Sequence, residues 1–281
     1  MSPSAPALEL PHRPPGGGPA PIALDVNGAP AAVRRQGIGE PVLFLHGSHF
    51  GGMWLPFHTR LAATFDLLAP ELPGFPEAAV PDWVQGFDDL VLHYRALLDA
   101  LELESVHVVG HALGGWVAAD LAVFYPERVR SLSLLAPAGL RVPGHPMAEY
   151  LGMAPERVAQ LLFNGDPGEH AGLLPDATDA EAFARNYGET GVTVRLIWER
   201  RYDLRLERRL PNVRIPTLVV QGEDDRLIPN VHAARWAELL PEAHLETIPG
   251  TGHAFFVQAP DATAEVVTDF ISRAEQERVT T

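Results

Sequence analysis

Apolar positions along the chain follow two alternating rhythms. Short runs such as Val42-Leu43-Phe44-Leu45, Val106-His107-Val108-Val109, Leu132-Ser133-Leu134-Leu135-Ala136 and Thr217-Leu218-Val219-Val220 are apolar almost throughout. Such runs suit strands buried on both faces of a parallel sheet. Between them lie stripes at helical spacing. Phe87, Leu90, Val91, Tyr94, Leu97, Leu98 and Leu101 recur every one or three positions and predict a helix with one face on a sheet. Further strands are predicted at Ile22 to Val26, Ala31 to Arg35, Phe65 to Ala69 and His244 to Ile248. Further helices are predicted at Leu55 to Ala63, Trp116 to Ala122, Val231 to Leu240 and Ala262 to Arg273. Asn27-Gly28 predicts a hairpin turn, with Pro30 expected to lengthen its loop.

Strands alternating with helices imply an α/β protein, a mostly parallel central sheet covered by helices on both faces. From Gly139 to Pro211 no strand-like run occurs, and helical patterns are broken by Pro and Gly. A structureless loop of that length is uncommon in a compact domain, so 139–211 is read as an inserted helical cap. The α/β core is then 22–138 and 212–281. Residues 1–21, rich in Pro and Gly, are expected to form a flexible tail. In open parallel sheets the site lies at the carboxyl ends of the strands. That rule selects the loops at His46, Ala112, Asp225 and His253.

Composition narrows the chemistry. The 281 residues include no cysteine, which removes thiol chemistry, disulfides and Cys-based metal sites. The formal charge is −15, and every basic residue is an arginine. With no basic cluster longer than pairs such as Arg200-Arg201 and Arg208-Arg209, nucleic acid and anionic membranes are poor partners. No run is apolar enough to span a bilayer, and the expected location is cytoplasmic. Neither a cofactor nor a metal is expected, because no phosphate loop or metal-ligand spacing occurs. The expected partner is a small, apolar substrate or ligand.

The loop Gly110-His111-Ala112-Leu113-Gly114-Gly115 follows a strand and opens a helix, the setting of a G-x-S-x-G nucleophile elbow. Its central residue is alanine. With His46-Gly47, the run Gly222-Glu223-Asp224-Asp225-Arg226-Leu227-Ile228-Pro229 and the loop Gly250-Thr251-Gly252-His253, the chain over 22–275 resembles the α/β-hydrolase superfamily. The order of nucleophile, acid and histidine is the order of that fold. The resemblance implies Asp225 as the acid, His253 as general base, and backbone N–H groups of Ser48 and Leu113 as the oxyanion hole. Asp224 competes with Asp225, and is otherwise a loop carboxylate capping the next helix. His46 is expected to buttress the oxyanion loop. His111 is expected to have a structural role, its side chain directed away from the pocket. Trp198 and Tyr202, four residues apart, are candidates for the pocket wall.

Ala112 departs from the family pattern, since a methyl group cannot be deprotonated or form an acyl-enzyme. Three readings follow. The chain is a hydrolase of a small ester, amide or C–C bond whose nucleophile has been replaced, by engineering or divergence, so that hydrolysis is nearly abolished. Alternatively, it is a nucleophile-independent lyase or oxygenase that uses the His-Asp pair for proton abstraction, or a non-catalytic protein that binds a small ligand.

Overall fold

A computed structural model describes residues 18–75, 78, 83–173, 180–198 and 201–280. Among them a single sheet holds β1 (Ile22–Val26), β2 (Ala29–Gln36), β3 (Pro41–Leu45), β4 (Asp66–Pro70), β5 (Val106–His111), β6 (Val129–Leu135), β7 (Thr217–Gly222) and β8 (Ala243–Ile248). The helices are α1 (Pro56–Ala62), α2 (Phe87–Ala100), α3 (Leu113–Phe124), α4 (Pro155–Leu162), α5 (Ala180–Ile197), α6 (Leu206–Arg209), α7 (Val231–Leu239), α8 (Phe255–Gln258) and α9 (Pro260–Thr280). The strand order is β1-β2-β4-β3-β5-β6-β7-β8. Only β2 runs antiparallel to its neighbours, and the other pairings are parallel. The expected α/β class with a mostly parallel sheet is the architecture found.

The apolar runs are continuous because successive residues serve opposite layers. Leu43, Leu45, Val106, Val108, Leu132 and Leu134 pack with α2, α3 and Trp236 of α7. Their neighbours Val42, Phe44, Val109 and Leu135 pack with Phe57 of α1, Phe256 of α8 and Ile271 of α9. Both faces are therefore dry, as a parallel sheet requires.

Several boundaries differ from expectation for physical reasons. Asn27 (φ 54°) and Gly28 (φ 81°) make a two-residue turn, and β2 begins at Ala29, so Pro30 does not lengthen the loop. Pro30 pairs only toward β1, because the ladder with β4 begins at Val33, and its missing N–H therefore breaks no bond to β4. β5 extends to His111 and α3 starts at Leu113, three residues before the expected Trp116. Helix α8 was not signalled by the sequence. Of the expected tail, 1–17 fall outside the described residues, but Gly18 is buried. A Cβ there would meet Trp54 Cβ at 2.1 Å, so the tail's end is packed rather than free.

Between 139 and 211 the described residues form helices and short 3-10 turns, with one isolated bridge, Gly139 to Tyr202. This helical segment lies against the carboxyl-end loops of the sheet. The Leu162 carbonyl accepts the Ala254 N–H at 2.9 Å, and the Leu227 carbonyl accepts that of Ala148 at 2.8 Å. No described helix is long and apolar enough to cross a membrane.

Candidate active site

Ala112 joins β5 directly to α3 and sits at φ 49°, ψ −111°. A left-handed backbone at a non-glycine residue costs roughly 1–3 kcal/mol and persists only where its surroundings enforce it. Here the glycines on either side enforce it. A Cβ on Gly114 would stand 2.1 Å from the Leu45 carbonyl oxygen, and one on Gly110 would stand 2.7 Å from Gly115 Cα. Helix and strand can make this sharp turn only without those side chains. Gly47 brings the loop after β3 equally close, since a Cβ there would lie 3.2 Å from the Ala112 methyl.

The loops after β7 and β8 meet in the same way. An added Cβ at Gly222 would be 2.1 Å from the Gly252 carbonyl oxygen. This contact sets Asp225 beside His253, with His253 Nδ1 2.8 Å from Asp225 Oδ2 and both side chains 1% exposed. Asp225 Oδ1 accepts the N–H groups of Leu227 and Ile228, each at 2.8 Å. The carboxylate is thereby fixed and can only accept, so the network assigns the His253 proton to Nδ1. Gly222→Ala should lower the urea midpoint, with a loss of about 1–3 kcal/mol for the forced separation of two backbones. A midpoint equal to that of the parent would show that the loops are not held by this contact.

A narrow cavity opens above these loops. Its walls include Ala112, Leu113, Ser48 and His253, with Trp116, Met147, Tyr150, Leu227 and Ile228 supplying apolar surface. Ser48 Oγ lies 3.3 Å from the Tyr150 hydroxyl. The residues the sequence singled out on separate loops, Ala112, Leu113, Ser48 and His253, thus share one space, and Asp225 stands behind His253.

Other expectations need correction. His111 does not turn away from the pocket. Its ring is in the cavity wall, 4.7 Å from the His253 ring between centroids, and its Nε2 donates to the His253 carbonyl at 3.3 Å. Burial holds its pKa well below the usual histidine value, so it supports His253 as a neutral ring. Trp198 lies beyond the end of α5 and is 79% exposed, so it does not line the cavity. Tyr202 instead bridges to Gly139, with the Arg141 guanidinium 5.5 Å from its ring centre. Because α5 ends at Ile197, the two share no helical face, and Ile197 and Arg201 stand at the cavity in their place. Asp224 does not cap the next helix. It accepts a hydrogen bond from Asn164 Nδ2 at 2.9 Å, tying the helical segment to the loop after β7. His46 Nε2 accepts the Leu72 N–H at 2.8 Å and its Nδ1–H donates to the Gly47 carbonyl at 2.7 Å, which braces the loop that carries Ser48.

Sequence reasoning missed His49, Tyr150, Met147 and Arg201. His49 was findable, since it lies in a loop that the strand-end rule selects. The others sit in irregular backbone or at a helix end, where periodicity carries no signal. Among the described residues, no group of three His, Asp or Glu side chains could hold a metal ion.

The cavity wall also leans on a buried ionic group. Trp116 Nε1 donates to Asp120 Oδ2 at 3.0 Å, while Arg209 approaches Asp120 at 3.5 Å and Asp203 at 3.4 Å. Burial raises the Asp120 pKa to about 7, against the opposing pull of Arg209. The buried histidines shift the other way. Burial lowers His46, His49, His93 and His107 to about 4 and His58 to about 3. For these five the unfolded chain takes up protons first. The stability they confer is complete above about pH 6.5 and is lost as pH falls toward 4. Each should cost on the order of 1 kcal/mol at pH 5.5. Asp120 alone works oppositely, stabilising less as pH rises from about 4 to 7. The urea midpoint should therefore fall clearly between pH 7.5 and 5, and a flat profile would contradict burial of these rings.

A family model described as the alpha/beta hydrolase family matches residues 42–266. The chain is 28% identical over 266 residues to the 2-hydroxy-6-oxo-6-(2'-aminophenyl)hexa-2,4-dienoic acid hydrolase of Metapseudomonas resinovorans, covering 89% of this chain and 90% of that one. It is 31% identical over 274 residues to the dihydrolipoyllysine-residue acetyltransferase component of the acetoin cleaving system of Pseudomonas putida, covering 91% and 70%. Among solved structures, the fold is similar to a serine-to-alanine mutant of the meta-cleavage product hydrolase from Pseudomonas fluorescens IP01 complexed with acetates. The TM-score is 0.76 at 24% identity, covering 91% of this chain and 98% of that one.

Proposed function

The chain belongs to the alpha/beta hydrolase family, and on that premise we propose that it is a hydrolase scaffold whose attacking residue has been replaced by Ala112. The parent reaction is hydrolysis of a small ester, amide or C–C bond by Ser-His-Asp chemistry. In that reaction the residue at 112 carries a hydroxyl. His253 Nε2 takes its proton, the oxygen attacks the substrate carbonyl, and the proton passes to the leaving group as the scissile bond breaks. Water, deprotonated by the same Nε2, then attacks the acyl-enzyme, releasing the acid and returning the proton to the hydroxyl. Asp225 holds the imidazole in the required tautomer. The backbone N–H groups of Ser48 and Leu113 receive the negative charge on the carbonyl oxygen. With a methyl at 112 the attack has no oxygen, and hydrolysis falls to what His253 can draw from bound water.

The observation that carries this reading is the buried 2.8 Å Asp225–His253 pair beside the cavity that Ala112 also lines. The helical segment 139–211 serves as the cap that chooses the substrate. The relative named for a dienoic acid supports an acidic, partly apolar substrate, and Arg201 in the cavity wall, ion-paired to Glu149, suits a carboxylate. The deciding experiment is Ala112→Ser assayed with p-nitrophenyl acetate and an ester panel. A revertant no faster than the parent would overturn the proposal.

A further inference from the structure

The cavity holds a second imidazole that this reaction does not use. His49 follows Ser48 in the loop after β3 and lines the cavity together with Ala112 and His253. Its Nε2 is buried with no hydrogen-bond partner among the described residues. Buried polar atoms are nearly always paired, so an unpaired one on a residue that lines the cavity points to a partner that arrives with the ligand. The ring is held in place, packed edge-on against Tyr150 at 5.2 Å between centroids and 66° between planes. The Tyr150 hydroxyl lies in turn 3.3 Å from Ser48 Oγ, so ring and loop are set by the same contact. His253 enters the site from the loop after β8 with Nδ1 committed to Asp225. His49 enters from the loop that carries the Ser48 amide.

We propose that His49 is a third hydrogen-bond donor to the substrate oxygen, its Nε2–H adding to the N–H groups of Ser48 and Leu113 as charge develops there. The inference rests on the hydrolase reading of the site. His49 keeps its proton throughout, so the step is stabilisation of charge and not proton transfer. Burial first, and the neighbouring His253 second, hold its pKa down to about 4, which keeps the donor uncharged near neutral pH. An uncharged donor binds a developing oxyanion without attracting buffer anions into the resting site.

Two variants test this. His49→Gln keeps an N–H donor at comparable reach, and His49→Phe keeps a ring without one. In the Ala112→Ser background, His49→Phe should lower kcat for p-nitrophenyl acetate by about tenfold to 10², with KM changed less than threefold. His49→Gln should recover most of that loss. In the protein with Ala112, calorimetric titration with phenylacetate, an apolar ring bearing a carboxylate, should show affinity at least about fivefold weaker for His49→Phe and near parental for His49→Gln. Equal kcat in all three overturns the proposal, and so does a glutamine variant as impaired as the phenylalanine one, which would mark a packing role. Should Ala112→Ser show no turnover, the hydrolase reading fails by itself. Phenylacetate then still decides for His49, because absent binding or equal affinity in His49→Phe overturns it.

Discussion

Ala112→Ser is expected to raise kcat/KM toward p-nitrophenyl acetate by about 10³ or more. Removing the nucleophile from a Ser-His-Asp site costs about 10⁶, and oxyanion stabilisation and binding alone retain about 10³ over water. The first figure, about 10⁶, is the ceiling on what the hydroxyl can return, and a generic activated ester is expected to realise only part of it. The backbone needs no adjustment, since residue 112 already holds φ 49°, ψ −111° between β5 and α3. The change adds one oxygen to a methyl that lines the cavity, so overpacking does not oppose it. The assay is initial-rate release of p-nitrophenolate, with Ala112→Thr as a control that carries a hydroxyl on a bulkier side chain.

Asp225→Asn in the Ala112→Ser background should then remove most of the gain, by up to about 10⁴ in kcat. The direction follows from where the two carboxylate oxygens point. Oδ1 accepts two N–H groups, from Leu227 and Ile228, so an asparagine must place its carbonyl oxygen there. Its NH₂ then faces His253 Nδ1 and donates to it. The imidazole proton is displaced to Nε2, and the base presents an N–H where it needs a lone pair. Kinetics and a ¹⁵N spectrum of the His253 ring would read the same event twice. A variant with full activity, or with Nδ1 still protonated, would show that Asp225 does not set the tautomer.

Much of this arrangement is legible in the chain, because glycines and apolar runs report constraints that act locally. Gly110, Gly114 and Gly222 each stand where a Cβ would strike backbone, and the runs after which they come are the central strands. The loops bearing Ala112, Asp225 and His253 follow from strand ends alone. What the chain conceals is set by contacts between distant segments. Trp198 and Tyr202 share helical spacing, yet α5 stops at Ile197, and Trp198 is left exposed while Arg201 reaches the cavity. His111 looked like a residue facing away, but its ring is claimed by Phe256, 4.6 Å away, and by the His253 carbonyl. Asp224 resembles a helix cap in sequence, and only the approach of Asn164, sixty positions earlier, gives it another partner.

The cavity bounded by Met147, Tyr150 and Ile197 contains about 50 Å³ of free space. That is room for a few water molecules, and less than the roughly 150 Å³ with which an enclosed apolar cavity takes a benzene ring. Any ring-sized guest must therefore wait for a wider conformation, and its measured affinity is scaled down by the fraction of molecules that are open at a given moment.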